Sequence, residues 1–276
     1  MDLAKAKSVI IVMLIAFNIF LLFNNLTYYN RQGVQKETVE NAAAILNARG
    51  IRLESSIPMY SKGTHRLKYG KGKLDRAEMA AKLLGESYVE DSDGEAFEYG
   101  DKKLVFSSDT KFVLTDGKPG LDFNVDSADE VEKLARAYLK DSGLLSGKYV
   151  VDELKQSQDD SMVVTFIEDY DGFLVYDNYC TVKVTAKGIT RIEYGKLQIT
   201  GFSPEKVEDL TAAYQVLLAN FKEGSGQVIT SIDIGYKYTY DQSMEEMESM
   251  EMLPVWRVKI KNTLEPVYLG SLDTAD

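Results

Sequence analysis

From Ser8 to Thr27 the chain reads SVIIVMLIAFNIFLLFNNLT, apolar almost throughout apart from Asn18 and the Asn24-Asn25 pair. At a rise of 1.5 Å per residue such a run spans roughly 30 Å, the hydrocarbon thickness of a bilayer, and it predicts a transmembrane helix over residues 8–27. A cleaved signal peptide has a shorter apolar region followed by small residues, whereas here Asn-Asn-Leu-Thr-Tyr-Tyr follows. Lys5 and Lys7 lie in the tail 1–7, which the positive-inside rule keeps in the cytoplasm. The expectation is a single-pass protein of the cell membrane with its bulk, from Tyr28 onward, extracytoplasmic. Tyr28 and Tyr29 fit an aromatic belt at the outer headgroups, or are ordinary linker residues.

Asn18 stands mid-span, where an amide in hydrocarbon costs free energy unless it is satisfied, and Asn25 follows one heptad later on the same face. Two readings stay open. A partner helix meets the face Ile11, Leu14, Asn18, Leu22 and Asn25, or a strongly apolar span simply tolerates one asparagine.

The remaining chain carries enough apolar and aromatic residues, with only 5 prolines, to bury a substantial core. A formal net charge of -11, with lysines interleaved among acids, repels phosphates and excludes nucleic-acid binding. One cysteine permits no internal disulfide, and one histidine rules out histidine-pair zinc motifs and leaves only His65 for any triad chemistry.

Period and caps predict four ectodomain helices. The first runs from Val34 to Arg49 with Val39, Ala42, Ala43 and Leu46 on one stripe and Gly50 as its stop. The second opens on Asp75 with Glu78 at capping-box spacing and stops at Gly85; the third repeats the device with Ser127 and Glu130 and ends at Gly143. The fourth is expected to start at Ser203-Pro204 and to stripe Leu210, Ala213, Tyr214, Leu217, Leu218 and Phe221 before Gly224.

Between them the period is two. Short strands fall at 96–99, 104–107 and 111–114, longer ones at 149–154, 162–168, 174–185 and 189–200, and a last set at 228–240, 254–261 and 267–269. Asp171-Gly172 and Lys187-Gly188 are hairpin turns. Because strands come in hairpin-linked groups and not singly between helices, the fold class is α+β, with helices packed on antiparallel meanders in two units. Lys118-Pro119-Gly120 is the expected boundary, giving a membrane-proximal domain 28–118 and a distal domain 119–276. The helices at Ser127 and Ser203 each precede a meander, as an internal duplication of the distal domain would arrange them.

Cys180, in LVYDNYCTVKV, alternates with Leu174, Tyr176, Val182 and Val184 and reads as a small core residue. His65 has no carboxylate at a motif spacing. Gly70-Lys71-Gly72 lacks the third glycine of a phosphate cradle and reads as a turn feeding the Asp75 cap. Asp91-Ser92-Asp93-Gly94 starts like a calcium loop, but its glycine comes too early, leaving an acidic turn. The segment Ser243 to Met252, SMEEMESMEM, offers thioethers to Cu(I), although an exposed excursion between two strands of one hairpin explains it more simply. No catalytic residues, metal or cofactor are expected.

The start MDLAKAK running into Ile10-Ile11 and Asn18-Ile19-Phe20-Leu21-Leu22, the helix ending at Gly50-Ile51, the Ile57-Pro58 step, Lys103-Leu104-Val105-Phe106-Ser107 and the late Pro254-Val255-Trp256-Arg257-Val258 resemble the YycI family of two-component system regulatory proteins. That resemblance implies a non-enzymatic membrane protein of Gram-positive bacteria. It implies association with a YycH-like protein and with a sensor histidine kinase of cell-wall homeostasis, whose activity it adjusts. Two other classes remain open: an extracytoplasmic cell-wall hydrolase, marked by a groove with two facing carboxylates, and a chaperone-like or inhibitor-like binding module.

Overall fold

The computed structural model describes residues 13–15, 17–18, 36–59, 64–70, 72–120, 127–157, 159–207, 210–223, 226–238, 249–263 and 265–270. The predicted span 8–27 lies mostly outside them. Among the described residues no helix is long and apolar enough to cross a membrane.

The fold is mixed α+β, with large antiparallel sheets and few helices. Beyond the helical residues 13–15 and 17–18, the helices are α1 (Lys36–Ala48), α2 (Arg76–Leu84), α3 (Ala128–Asp141) and α4 (Ala213–Asn220). The strands are β1 (Arg52–Leu53), β2 (Thr64–Gly70), β3 (Val89–Glu90), β4 (Ala96–Tyr99), β5 (Lys102–Ser108), β6 (Lys111–Asp116), β7 (Tyr149–Gln156), β8 (Met162–Tyr170), β9 (Phe173–Thr185), β10 (Gly188–Gly195), β11 (Gln198–Val207), β12 (Val228–Tyr236), β13 (Ser249–Met252), β14 (Pro254–Ile260) and β15 (Val267–Leu269).

The two compact units are not sequential. One comprises Met1–Thr64, Val207–Asp233 and Trp256–Asp276, the other His65–Lys206 and Ile234–Val255. The step between residues 118 and 119 falls inside the second unit, where β6 before it pairs with β10 after it, Thr115 opposite Arg191 and Phe112 opposite Tyr194.

In the second unit the strands run β3-β4-β5-β6-β10-β9, with β8 and β7 continuing from β9. Alternation decides which face is apolar: Leu104 and Phe106 on β5 stand opposite Leu114 and Phe112 on β6. Their rings continue a ladder across four strands, Phe97 to Phe106 at 5.9 Å, Phe106 to Phe112 at 5.7 Å, and Phe112 stacked on Tyr194 at 4.9 Å. Helices α2 and α3 cover this face with Ala80, Leu83, Val131, Ala135 and Leu139, all buried.

Both caps form as expected. Asp75 accepts from the Glu78 amide at 3.0 Å, and Ser127 from the Glu130 amide at 3.4 Å. Gly143, at φ 65°, ends α3 and lets the Leu144 amide reach the Leu139 carbonyl at 2.8 Å. The β8–β9 turn has Asp171 and Gly172 at φ 51° and 90°, the left-handed pair its sequence predicts.

Two expectations fail. Ser203-Pro204 does not open a helix: residues 198–207 form β11, an edge strand of the sheet β11-β2-β13, the kind of strand to which proline is confined within sheets. The helix occupies only Ala213–Asn220, so the second helix-then-meander of an internal duplication does not begin at Ser203. Nor does all of the methionine-rich stretch leave the fold as an excursion. Residues 243–248 lie outside the described residues, but Ser249–Met252 is a strand on β2, Met252 opposite Leu67 and buried with Tyr69.

The first unit is built on α1, α4 and the strands β1, β12, β14 and β15. Gly50, at φ 81°, stops α1 as expected, and β1 then pairs in parallel with β12, Arg52 beside Val228. Ala42 and Leu46 of α1, Val216 and Leu217 of α4, Ile229, Trp256 and Val258 are buried. Arg49 donates to the carbonyls of Leu218 and Phe221 at 2.7 and 3.0 Å, satisfying the last turn of α4. Trp256 Nε1 donates to the Thr211 carbonyl at 2.9 Å.

Candidate interaction surface

Because Gly50 reverses the chain and β1 is only two residues long, the stretch after it runs back alongside α1 and leaves a groove of about 520 Å³. Val39 and Ala43 line one wall, and Leu53, Ile57, Pro58 and Met59 the other. Met59 remains 56% exposed although nearby Ile57 is 4% exposed, so the groove is an apolar surface continuous with the core. Lys36 and Glu40 form an exposed ion pair at 3.5 Å on its rim. The Ser55 hydroxyl on its lining is shielded from solvent with no hydrogen-bond partner among the described residues.

Of the predicted partner-binding face, Leu14 and Asn18 are described and Ile11, Leu22 and Asn25 lie outside the described residues. Leu14 is 54% exposed, and the Asn18 side-chain N–H donates to the Leu14 carbonyl at 2.9 Å. One amide hydrogen is therefore used within the helix itself.

The second unit holds two buried carboxylates that sequence reasoning did not single out. Glu168 accepts from Lys196 Nζ at 2.8 and 2.9 Å and from the Asn178 amide; the same ammonium donates to the Tyr149 hydroxyl at 3.3 Å. Asn178 also holds both backbone groups of Leu197, N–H at 2.6 Å and C=O at 3.1 Å, and so ties β9 to the exit of β10. Burial, then the Glu168 charge, pushes the Tyr149 hydroxyl far above the ordinary tyrosine range. Asp177 is bound by Lys237 Nζ at 2.7 Å and the Tyr238 amide at 2.6 Å. Tyr69 packs edge-on to Tyr238 at 5.5 Å, and burial, Tyr238 and Asp177 push its hydroxyl up to about 12. The signal available in the sequence was polar residues in runs whose neighbours face inward, Glu168 beside Ile167 and Asn178 beside Cys180.

Cys180 is fully buried and burial raises its thiol far above the reactive range, as its alternation implies. His65 Nδ1 lies 2.7 Å from the Ser203 carbonyl, against the Phe202 ring. Asp91 accepts from the amides of Glu95 and Ala96 at 3.0 and 3.2 Å, closing the turn into β4. At Gly72 a Cβ would sit 2.6 Å from Gln198 Cβ, so the residue lets the turn pass close to β11. Among the described residues no cluster of three or more His, Cys, Asp or Glu is placed to hold a metal ion. What the geometry offers is an exposed groove with a largely apolar lining and two buried carboxylates each bound by a lysine.

These features define an α+β chain of helices on antiparallel sheets, with an exposed apolar groove beside the helix that follows the apolar N-terminal segment. The chain belongs to the YycI family: the family model described as YycI protein matches residues 29–268. Among solved structures, an uncharacterized protein from Eubacterium rectale shares the fold with a TM-score of 0.52 at 13% identity, over 83% of this chain and 94% of that one. YycH from Bacillus subtilis matches with a TM-score of 0.49 at 16% identity, over 76% of this chain and 53% of that one. The C-terminal domain of YpeB from Bacillus megaterium matches with a TM-score of 0.37 at 14% identity, over 72% and 94%. No curated protein matches.

Proposed function

We propose that this chain is a non-enzymatic regulator, held in the cell membrane by residues 8–27, that binds a sensor histidine kinase together with a YycH-like protein and adjusts the kinase's activity in cell-wall homeostasis. The observation that carries this reading is the family match over residues 29–268. A wall hydrolase calls for two carboxylates converging on a groove, and the two buried ones here, Glu168 and Asp177, are each bound by a lysine.

The regulatory contact we place in the membrane. A two-state kinase helix is biased only by a partner that binds its two states differently. Asn18 supplies such a contact through the amide atoms that its bond to Leu14 does not use, with Ile11, Leu14, Leu22 and Asn25 packing around it. An interhelical bond of this kind is worth about 1 kcal/mol, which shifts an equilibrium about fivefold. The test is Asn18→Leu in the full chain, read by kinase-dependent transcription and by co-purification with kinase and YycH-like protein. Altered regulation with the ectodomain still folded is the expected result. Wild-type behaviour both in Asn18→Leu and in a chain carrying an unrelated span would move the contact to the ectodomain.

A further inference from the structure

The second unit holds two opposite charges that face each other without pairing. Lys102 on β5 stands directly opposite Asp116 on β6, two residues along the ladder from the buried pair Leu104 and Leu114, so alternation turns both toward the helix-covered face. Residues so placed have Cα atoms about 5 Å apart, a spacing at which opposite charges ordinarily join. Neighbouring cations do find partners: Lys103 meets Glu98 at 2.7 Å, Lys118 meets Asp101 at 3.3 Å, and Arg191 meets Glu193 at 2.8 Å. Lys102 and Asp116 are both half-buried, yet among the described residues neither forms an ion pair. Asp116 accepts the backbone amide of Lys118 at 2.9 Å through one oxygen, which leaves the other for a further donor.

Both residues line a cavity of about 200 Å³. Leu134 and Tyr138 reach it from α3, and Leu114, Ile189 and Ile192 from the sheet. Burial, and after it the Asp116 charge, raises the Tyr138 hydroxyl above the ordinary tyrosine range, so the carboxylate is felt from the helix side of the cavity. The Thr190 hydroxyl on the lining is already spent on the Lys183 carbonyl at 3.4 Å. An engineered apolar cavity of roughly 150 Å³ holds benzene, so this one has room for a branched or aromatic side chain.

We propose that this cavity binds a free α-amino acid with a branched or aromatic side chain. An apolar lining alone would take a hydrocarbon, and a lone cation would take an anion. A cation and a carboxylate this close, each without an ion-pair partner, instead match a ligand that carries both charges on one carbon. The ligand's carboxylate accepts from Lys102 Nζ, its ammonium donates to the Asp116 oxygen that Lys118 does not use, and its side chain enters among Leu114, Leu134 and Ile192. This site stands apart from the regulatory reading above, and either can fail without the other.

The test is isothermal titration of the full chain in detergent micelles with L-leucine and L-phenylalanine. Saturable one-to-one binding is expected. 3-Methylbutylamine and 4-methylpentanoate, each lacking one of leucine's two charges, should bind at least about tenfold more weakly, the loss of one charge-assisted hydrogen bond. Lys102→Met and Asp116→Asn should each weaken leucine by the same factor, whereas Lys103→Met, on the opposite face and paired with Glu98, leaves it unchanged. The two analogues are read on the unaltered chain, so they decide the matter where a variant fails to fold. Absence of saturable binding by both amino acids overturns the proposal. So does leucine bound equally well by Lys102→Met or Asp116→Asn, or an analogue that matches leucine, since these report an apolar cavity or a site for a single charge.

Discussion

Lys196→Met tests whether the buried ion pair of the second unit is held by its lysine. Lys196 Nζ contacts both Glu168 oxygens at 2.8 and 2.9 Å, and the side chains are 22% and 10% exposed. It also lies 5.4 Å from the Tyr149 ring centroid and bonds that residue's hydroxyl. Methionine keeps the aliphatic stem and removes the charge, leaving a carboxylate with the Asn178 amide for support. Losing one partner of a buried pair costs about 3–5 kcal/mol, and the residual exposure of the lysine puts this case at the lower end, about 3 kcal/mol. Pairing the change with Glu168→Gln removes the stranded charge, so the double variant should recover about 2 kcal/mol of that loss. The assay is urea unfolding of the full chain in detergent micelles, followed by circular dichroism, with midpoints compared at constant slope. A single-variant loss below about 1 kcal/mol, or a double variant less stable than the single, would show that Glu168 is sustained by water and not by Lys196.

Two further outcomes follow from the same structure. With Cys180 buried, cysteines placed at Ala4 and Ser61 are the only ones open to an impermeant thiol reagent in intact cells; labelling at position 61 and none at position 4 is expected, and the reverse would invert the topology. Tyr69, whose hydroxyl is raised to about 12, favours the protonated form when folded, so the stability it contributes is complete below pH about 10 and is lost as pH rises through about 12; Tyr69→Phe should soften that alkaline loss, measured by circular dichroism against pH.

Much of the candidate site was visible in sequence only in part. The stripe Val39, Ala42, Ala43 and Leu46 marks α1 as amphipathic, but periodicity does not say which flank packs inward and which lines a groove. That division depends on where the stretch 53–59 returns, through a reversal at Gly50 and a two-residue parallel pairing with β12. The Glu168, Asn178 and Lys196 cluster was hidden for a related reason. Its members lie up to 28 residues apart, and a bulge between Ile167 and Glu168 shifts the register that alternation would extrapolate.

The sequence by itself determined what neighbours within a turn or a strand decide. Asp75 and Ser127 cap because their oxygens reach an amide three residues on, Asp171-Gly172 turns because both residues take positive φ, and Cys180 faces inward because its neighbours alternate. Tertiary structure alone decided what depends on a distant partner. Ser203-Pro204 carries a helix-start signal yet becomes strand, since β2 offers a partner for an edge strand, where proline is tolerated; Ser249–Met252 joins the same β2 on its other side. The two units likewise interleave along the chain because strands pair by the burial they achieve together, a free energy shared between residues that no local pattern records.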